Sequence, residues 1–544
     1  MKRGAHRMAT GWLRSFPPAQ WLAAYRPAFL PADLIAGATL ASYAIPVSLA
    51  YASLAGLPPQ VGIYGYVLGG LGYALLGSSR QLAVGPTSAI SLMVAGTVGA
   101  MAAGDAAHYA QIASLAALTV ALLCLFAWAL RLSVLVRLIS DSVLVGFKAG
   151  AGITIILTQL PGLFGVTGGG DDFVERVWTL ASQLGDAKLP VLALGATSIL
   201  VLLLGERFLP GKPVGLLVVA ASILLSSTLG LAAAGFAVTG HIPVGLPSVA
   251  WPALRLRDVE GIFPLAAGCL LLSYVESVSA ARSLAERHGY AIDPRQEFLG
   301  LGAANLFAAL GQGYPVAGGL SQSAVSDKAG ARTPLTLVFA SLILALCLLF
   351  LTGVLANLPK AVLAAVTFVA VYRLVDIAAL YRMWRISHID FWAALIAFAA
   401  VLLLGILQGI LVAAAASVLL LLGRASTPHV AFLGRVPGTQ MYSDRARHPE
   451  NERIENVLAF RPESSLLYIN ADQILGAVLH RLGREPDTRL VVCDLSAAPF
   501  TDLAGCRMLH RLYDELALRN IGLAIVGAHG RLRTQSARPR SRYG

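Results

Sequence analysis

Long apolar runs separated by short polar gaps cover the chain from about residue 33 to residue 423. A helix needs roughly 20 apolar residues in a row to cross the hydrocarbon core of a bilayer, and most of these runs have about that length. We place about fourteen segments, two of them too short to span, at 33–53, 61–77, 86–101, 110–131, 139–160, 189–206, 213–235, 262–284, 297–311, 320–329, 334–355, 359–375, 388–404 and 406–423. The pattern predicts a polytopic α-helical membrane protein with a transmembrane domain over residues 31–424.

The hydrophobic pattern changes beyond Arg424. Prolines and glycines between residues 428 and 438 predict a polar linker over residues 425–450. Alternating and helical spacings of apolar residues follow, as in soluble α/β modules. The predicted strands are 465–469, 489–495 and 523–527, and the predicted helices are 473–483 and 503–519. We therefore expect a small cytoplasmic α/β domain over residues 451–530.

Neither end of the chain has a periodic apolar pattern. Residues 1–30 begin with a basic stretch, and Pro17, Pro18 and Trp21 interrupt what would be the apolar core of a signal peptide. We expect this segment to be a retained cytoplasmic N-terminus. Residues 531–544 are rich in Arg and Ser and nearly free of apolar residues, which predicts a disordered tail.

Composition and charge agree with a lipid environment. Of the 544 residues, 57% are hydrophobic and 13% are charged, whereas soluble domains have about 45–50% and 25%. The net charge of +12 does not indicate a nucleic-acid partner, because the Lys and Arg residues lie in the gaps between apolar runs. Basic gaps alternate with acidic or uncharged ones, and an excess of Lys and Arg marks cytoplasmic loops. We expect a bacterial-type inner membrane protein with both termini in the cytoplasm.

The sequence has none of the patterns that indicate enzymatic chemistry or a resident cofactor. It has no paired His at metal spacing, no P-loop and no nucleophile elbow. Its five cysteines show no metal or redox spacing. We expect a protein that is not an enzyme and that needs no metal or cofactor.

Two short segments rich in Gly and Pro interrupt the apolar pattern at corresponding places in two halves of seven segments. They are Gly85-Pro86-Thr87-Ser88-Ala89, which opens the third segment, and 313–322, which opens the tenth. Such pairs indicate inverted repeats whose half-helices meet at the bilayer midplane. A half-helix N-terminus offers free N–H groups and a positive dipole end to an anion. The alternative is that Pro and Gly only kink two ordinary spans.

An acidic residue, Glu276, lies near the middle of the eighth segment. A carboxylate at that depth costs roughly 2.5–3.5 kcal/mol, so it should face a cavity or a partner. We interpret Glu276 as the residue that binds a coupling ion, H⁺ or Na⁺. Two structural alternatives are a hydrogen bond to the neighbouring half-helix N-terminus and a position nearer the cytoplasmic interface.

Eight short motifs are distributed along nearly the whole chain. They are Pro31-Ala32-Asp33-Leu34-Ile35-Ala36-Gly37, Tyr51-Ala52-Ser53-Leu54-Ala55-Gly56-Leu57-Pro58-Pro59, Gly62-Ile63-Tyr64, Val84-Gly85-Pro86-Thr87, Glu276 with Ala281-Arg282, Gly313-Tyr314-Pro315-Val316, Gly330-Ala331-Arg332-Thr333-Pro334 and Leu358-Pro359-Lys360-Ala361-Val362-Leu363. These motifs resemble those of the SulP anion permease family, which includes bacterial sulfate and bicarbonate permeases, pendrin and prestin. The tail resembles a STAS domain.

The resemblance implies two inverted repeats of seven segments, divided into a transport core and a gate. It implies an anion bound between the N-termini of the third and tenth segments and Glu276 at the family's coupling position. It also implies a membrane domain that forms a homodimer. The substrate-binding residues implied are Tyr51, Thr87, Ser88, Ala89, Ser321 and Gln322.

The sequence departs from the family pattern at three places. Many relatives have Arg where this chain has Gln322, and Gln where it has Val47, so one full positive charge near the expected site is missing. In the STAS-like part, Leu503 and Ala504 follow Asp502 where antagonist relatives have a phosphorylatable Ser. We expect no phosphoserine switch, and the polar tail in place of a final helix makes the domain incomplete.

These features favour secondary active transport of a small inorganic or organic anion. Sulfate is the first candidate, and bicarbonate or a dicarboxylate is an alternative. We expect proton- or sodium-coupled symport by an elevator-like movement, with membrane lipid and a second copy of the chain as partners. An anion exchanger, a channel-like protein on the same scaffold, a membrane anchor for a regulatory complex and a nucleobase transporter are the competing hypotheses.

Overall fold

The computed structural model describes residues 21, 25–102, 104–132, 140–170, 172–209, 213–253 and 255–528. The predicted tail at 531–544 and most of the predicted N-terminal segment lie outside these residues. Two compact units divide the chain, one ending at Ser417 and the other beginning at Val418.

Each of the fourteen predicted apolar segments corresponds to a helix. Among the described residues, two further helices follow the fifth and the twelfth segments, α6 Phe173–Gln183 and α14 Ile377–Ile386. The helices are α1 Leu30–Leu54, α2 Pro59–Leu76, α3 Ser88–Ala102, α4 Ala106–Ala129, α5 Asp141–Phe164, α6 Phe173–Gln183, α7 Leu189–Phe208, α8 Val214–Leu229, α9 Leu256–His288, α10 Pro294–Leu310, α11 Leu320–Lys328, α12 Leu335–Phe350, α13 Lys360–Val371, α14 Ile377–Ile386, α15 His388–Leu404 and α16 Ile406–Ser426. A one-turn helix at Thr352–Leu355 and short 3₁₀ turns link some of them.

Six of the described helices are long and apolar enough by themselves to cross a membrane. The half-helices α3 and α11 are shorter, and α11 has only 9 residues. A shortened helix at membrane depth is tolerated where its irregular backbone is buried in protein, which is the arrangement around both of these helices.

The membrane helices pack into two sets. The core set comprises α1 to α4 and α9 to α12, with α10 against α2 and α4 and with α12 against α1 and α2. The gate set comprises α5, α7, α8, α13 and α15, with α13 and α15 against α5. Contact between the two sets is made mainly by α1, which packs against α8 and α13.

Glycines allow the closest helix approaches. A Cβ on Gly62 of α2 would lie 2.0 Å from the Ser48 carbonyl oxygen of α1, and one on Gly146 of α5 would lie 1.8 Å from the Ala394 carbonyl oxygen of α15. Helices in lipid have no hydrophobic driving force for association, so they are held together by close van der Waals packing. Small residues at such crossings allow that packing.

Asp33 near the start of α1 is fully buried, and its carboxylate is hydrogen-bonded by residues just before and at the start of α12. Its carboxylate accepts hydrogen bonds from the N–H groups of Arg332 and Thr333 at 2.7 and 3.0 Å. The hydroxyls of Thr333 and Thr336 donate to it at 2.7 and 3.1 Å. A carboxylate at a helix N-terminus is stabilised by the dipole and by the free N–H groups, so this contact fixes α1 to the segment that follows α11.

The second unit contains a five-stranded mixed sheet flanked by two helices. Its elements are β3 Val430–Arg435, β4 Tyr442–Asp444, β5 Val457–Pro462, α17 Ala471–Gly483, β6 Leu490–Asp494, α18 Leu503–Ala517 and β7 Gly522–Val526, numbered after the short strands β1 Val84–Gly85 and β2 Ala317–Gly318 of the first unit. Strand order in this sheet is β4-β3-β5-β6-β7. Strands β5, β6 and β7 are parallel, whereas β3 is antiparallel to both β4 and β5.

The structure confirms both predicted helices and two predicted strands of this unit, but the predicted strand at 465–469 is wrong. Only Leu466 makes an isolated bridge there, to Thr501. The Asn470 side chain accepts from the Leu467 N–H at 3.0 Å and donates to the Ser465 carbonyl at 3.1 Å. These bonds occupy backbone groups that a strand would need, so the segment turns instead.

The predicted linker at 425–450 is also wrong, because β3 and β4 lie in it. The residues interpreted as linker signals, Pro437 and Gly438, form the turn of this hairpin, and Gly438 has a φ of 73°. Turn residues are the same whether the flanking segments pair or not, so composition alone did not distinguish a hairpin from a linker.

Candidate functional site

The two half-helices begin beside the same short ladder of strands. Strand β1, Val84–Gly85, precedes α3 and pairs antiparallel with β2, Ala317–Gly318, which precedes α11. Both helix N-termini therefore lie at the same place in the core set. The first N–H groups of a helix have no partner inside it, and they represent about half a positive charge.

Buried side chains of three different helices hold this ladder. The Asn305 side chain of α10 binds both the N–H and the carbonyl of Val316, at 3.0 and 3.1 Å. The Gly318 N–H donates to the Ser277 hydroxyl of α9 at 2.8 Å, and the Ala83 N–H donates to the Ser323 hydroxyl of α11 at 2.9 Å. These bonds fix the directions in which α3 and α11 start.

The start of α3 contains three of the predicted binding residues. The Thr87 hydroxyl is buried and has no hydrogen-bond partner in the part of the chain that the structure describes. Ser88 is 7% exposed and lies close to the Tyr51 side chain of α1. Ala89 is buried and has an apolar side chain, so it contributes only its backbone N–H as a donor at this end of the helix. The structure thus brings Tyr51, Thr87, Ser88 and Ala89 together.

The start of α11 is different, because the Gln322 side chain is used by the scaffold. It is 3% exposed, and its Oε1 accepts a short hydrogen bond from the Tyr66 hydroxyl of α2. Its Nε2 donates to the carbonyls of Ala83 and Ala317 at 3.1 and 3.2 Å, which bridges the segments before β1 and α11. Ser321 is exposed and borders a cavity.

Sequence reasoning missed Tyr66, which lies 256 positions from its partner Gln322. Tyr66 is buried, and it lies within electrostatic range of Tyr51 and Tyr314. The Tyr314 hydroxyl is 3.0 Å from the Ser91 hydroxyl of α3. Aromatic residues are common in membrane spans, so no pattern distinguished these tyrosines as part of the site.

Glu276 lies half-buried near the middle of α9. The hydrogen bond from the neighbouring half-helix segment goes to Ser277 rather than to Glu276. Within the described residues the Glu276 carboxylate has no hydrogen bond, and Lys148 of α5 is the cation that acts on it electrostatically. Lys148 was also missed, although a Lys inside an apolar run is itself a signal of function.

Two cavities lie between the core and gate sets, on either side of the contact between α1 and α13. One, of about 950 Å³, is lined by Ala50 and Ser53 of α1 and by Lys360 of α13. The other, of about 280 Å³, is lined by Tyr43 and Val47 of α1, by the C-terminal half of α13 and by Ser321. Ser321 therefore connects the half-helix pair with the second cavity.

No group of three or more His, Cys, Asp or Glu side chains that could hold a metal ion occurs among the described residues. The polar groups at the site are hydroxyls and helix N–H groups, which are donors suited to an anion.

Comparison with known proteins decides the family. The model of the sulfate permease family matches residues 30–397, and the STAS domain model matches residues 448–538. The chain belongs to the sulfate permease family. A probable sulfate transporter of Mycobacterium tuberculosis is 34% identical to this permease over 503 residues, which are 92% of this chain and 90% of the relative. The chloroplastic sulfate transporter 4.1 of Arabidopsis thaliana is 31% identical over 528 residues, 94% of this chain and 77% of the relative.

Solved structures show the same fold. The permease superposes on SLC26A9 with a TM-score of 0.87 at 22% identity, covering 96% of this chain and 88% of that one. It superposes on the transmembrane domain of the cyanobacterial bicarbonate transporter BicA with a TM-score of 0.62 at 22% identity, covering 72% of this chain and 98% of that one. The protein is a multi-pass membrane transporter of anions with a C-terminal STAS domain, and not an enzyme.

Proposed function

We propose that this permease is a secondary active transporter of a small oxyanion, with sulfate as the first candidate. The observation that supports the proposal best is the buried Thr87 hydroxyl without a partner at the start of α3. A buried donor left unpaired costs about 1–3 kcal/mol, so it is retained most readily where a ligand pairs with it. The relatives named as sulfate transporters favour sulfate over bicarbonate or a dicarboxylate.

Binding would use donors from both half-helices. The Thr87 hydroxyl, the Ser88 and Ala89 N–H groups and the Ser321 hydroxyl would donate to the oxygens of the anion. Tyr51 would orient Ser88, because the two side chains lie close together. The two helix dipoles add partial positive charge without requiring the arginine that many relatives have at the position of Gln322.

Coupling would depend on the charges of Glu276 and Lys148. With Glu276 ionised, the two charges cancel. When Glu276 binds H⁺ or Na⁺, Lys148 becomes an unbalanced positive charge and attracts the anion. Cation and anion then strengthen each other's binding by the same factor, as thermodynamic linkage requires, and the two are carried together.

The movement that we propose is elevator-like. The half-helices, Tyr51 and Glu276 belong to the core set, whereas Lys148 belongs to the gate set. The two cavities lie on opposite sides of the contact between α1 and α13. A displacement of the core set along the gate set would expose the site to one cavity and then to the other.

We also propose an inner-membrane location with both termini in the cytoplasm and a homodimeric assembly. Contacts collect several basic loops on one face: Arg287 pairs with Asp327 at 2.6 Å, and the Ser78 hydroxyl accepts from the Asp293 N–H at 3.1 Å. Collecting basic loops on a single face agrees with the positive-inside rule.

The test is uptake of labelled anions into proteoliposomes with and without an inward proton or sodium gradient. We expect sulfate to accumulate above equilibrium only with a gradient, and we expect Glu276→Gln to make uptake independent of that gradient. Glu260→Gln removes an exposed carboxylate from the same helix and serves as the control, with wild-type behaviour expected. Unchanged gradient dependence in Glu276→Gln would refute the coupling role.

The same experiment decides between this proposal and its alternatives. An anion exchanger would transport only when a counter-anion is present inside the vesicles. A channel-like protein would let the anion equilibrate without saturation and without a response to the cation gradient. Accumulation of bicarbonate or fumarate instead of sulfate would change the substrate and leave the mechanism in place.

A further inference from the structure

Two amphipathic helices occupy corresponding places in the two halves of the membrane domain. Helix α6 follows the fifth segment and α14 follows the twelfth, which are equivalent positions when seven segments are repeated. Both segments belong to the gate set. The inverted repeat predicts that α6 and α14 lie on opposite sides of the membrane.

Cavity contacts support these opposite positions. Arg176 of α6 lines the same cavity as Lys360, the first residue of α13. The last turns of α13, which lead to α14, line the other cavity together with Lys328. Helices α6 and α14 are thus at opposite ends of α13.

Each of these helices has an exposed apolar face that includes a tryptophan. In α6, Val174 is 65% exposed and Trp178 is 76% exposed. In α14, Ile377 is 72% exposed, Tyr381 55% and Trp384 45%. No residue of α14 is buried. An amphipathic helix with Trp and Tyr at its apolar face is typical of the boundary between headgroups and acyl chains.

Charge distinguishes the two helices. Helix α6 has one acidic and one basic residue, Glu175 and Arg176, whereas α14 has Arg382 and Arg385 after its capping residue Asp376. Arg385 lies over the Tyr381 ring at 4.9 Å. Neither guanidinium of α14 forms an ion pair with a carboxylate in the described part of the chain, and Arg382 is exposed. Two cations that have no carboxylate partner among the described residues, beside an apolar, aromatic face, match a surface of anionic headgroups.

We propose that α14 is an interfacial helix that binds anionic phospholipid headgroups through Arg382 and Arg385 and anchors the gate set to one leaflet. Helix α6 lies at the other membrane surface without a preference for charge. Each arginine near an anionic surface contributes about a fivefold preference for the charged lipid. This inference does not depend on which anion is transported.

The experiment uses the full-length protein in nanodiscs that contain either phosphatidylcholine or phosphatidylglycerol brominated on its acyl chains. Comparison of the wild type with Trp384→Phe isolates the fluorescence of Trp384, and comparison with Trp178→Phe isolates that of α6. We expect brominated phosphatidylglycerol, diluted in plain phosphatidylcholine, to quench Trp384 more than brominated phosphatidylcholine at the same fraction. We expect equal quenching of Trp178 by the two lipids.

Substitutions then test the arginines. In Arg382→Gln/Arg385→Gln the stronger quenching of Trp384 by phosphatidylglycerol should disappear, and in Arg382→Lys/Arg385→Lys it should persist. Arg484→Gln/Arg507→Gln removes the same charge from exposed positions of the second unit and should change nothing. Added NaCl should weaken the preference in the wild type.

Three outcomes would overturn the proposal. The first is equal quenching of Trp384 by the two lipids, and the second is a preference that survives in the double Gln variant. If that variant does not fold, a preference in the wild type that is insensitive to salt has the same meaning. The third is a change in Trp384 fluorescence on adding inorganic phosphate to phosphatidylcholine nanodiscs that equals the change caused by the charged lipid. Such a change would indicate a site for a free anion.

Discussion

The two half-helix N-termini that meet at the centre of this permease are equivalent in position but not in chemistry. At the start of α3, the Thr87 hydroxyl has no partner within the described residues. At the start of α11, the Gln322 side chain forms hydrogen bonds with Tyr66, Ala83 and Ala317. The first terminus is therefore suited to binding a ligand, whereas the second is largely occupied in holding the two strands together.

A third helix N-terminus, in the STAS domain, shows what a satisfied end looks like. Asp502 caps α18 by accepting a hydrogen bond from the Gly505 N–H at 2.9 Å. That bond lowers the pKa of the Asp502 carboxyl. Here the chain supplies its own anion to the helix end. Among the described residues no carboxylate caps the start of α3, which has hydroxyl and N–H donors, so an external anion can take that place.

The largest effect that this comparison predicts is a loss of stability in Gln322→Ala. The substitution removes three buried hydrogen bonds, those with the Tyr66 hydroxyl and with the carbonyls of Ala83 and Ala317. The Ala83 carbonyl keeps the Gly319 N–H as a partner at 3.2 Å. We expect a loss of about 2–3 kcal/mol in the free energy of unfolding, since each lost hydrogen bond costs about 1 kcal/mol. Thermal unfolding of the purified protein in detergent measures it.

Ser321→Ala is the matched control for that measurement. It removes a polar side chain from the neighbouring position, but Ser321 is exposed and borders a cavity. Its unfolding temperature should equal that of the wild type. If Gln322→Ala were as stable as this control and only transport were weakened, the Gln322 side chain would be a ligand of the anion rather than part of the scaffold.

The sequence predicted this region only in part. The pairing of the half-helices followed from Gly and Pro at corresponding places, because these residues interrupt a helix by local rules. The use of Gln322 by the scaffold depends on Tyr66, which lies on another helix and 256 positions away. Local patterns contain no information about such a contact.

In the rest of the molecule, predictions that depend on local patterns were also right more often than those that depend on tertiary contacts. The membrane helices were predictable because an apolar run in lipid has few alternatives to a helix. In the STAS domain, β3 was missed because its pairing with β5 is set by tertiary contacts, and 465–469 was overpredicted because Asn470 satisfies its backbone. The interaction of Lys148 with Glu276 was not predicted, because the two residues lie on helices that are far apart in the sequence.

Thr87→Val tests the ligand side of the comparison, and the expected effect is on binding rather than on stability. The substitution replaces an unpaired buried hydroxyl with a methyl group of similar shape, so the protein should be as stable as the wild type or slightly more stable. A hydrogen bond to a charged ligand contributes about 1.5 kcal/mol or more, so the KM for the anion should rise roughly tenfold.

Thr119→Val is a suitable control for Thr87→Val. Thr119 is also buried in a membrane helix, but its hydroxyl already donates to the Leu115 carbonyl at 2.9 Å, one turn earlier in α4. The KM of this variant should not change. An unchanged KM in Thr87→Val would mean that the unpaired hydroxyl is a packing feature, and the two helix ends would then differ only in their scaffold contacts.

The smallest effect is expected for Ser321→Ala in transport, because Ser321 is the one predicted binding side chain at α11 that the scaffold does not use. Its hydroxyl is exposed to the cavity of about 280 Å³, so water competes with the anion for it. Replacing a solvated hydroxyl removes only a fraction of a hydrogen bond's free energy, and we expect the KM to rise by about two- to threefold. Uptake measured at several anion concentrations resolves such a change. An increase in KM as large as that in Thr87→Val would mean that both half-helices bind the anion equally. The difference between the two helix ends would then be limited to the scaffold contacts of Gln322.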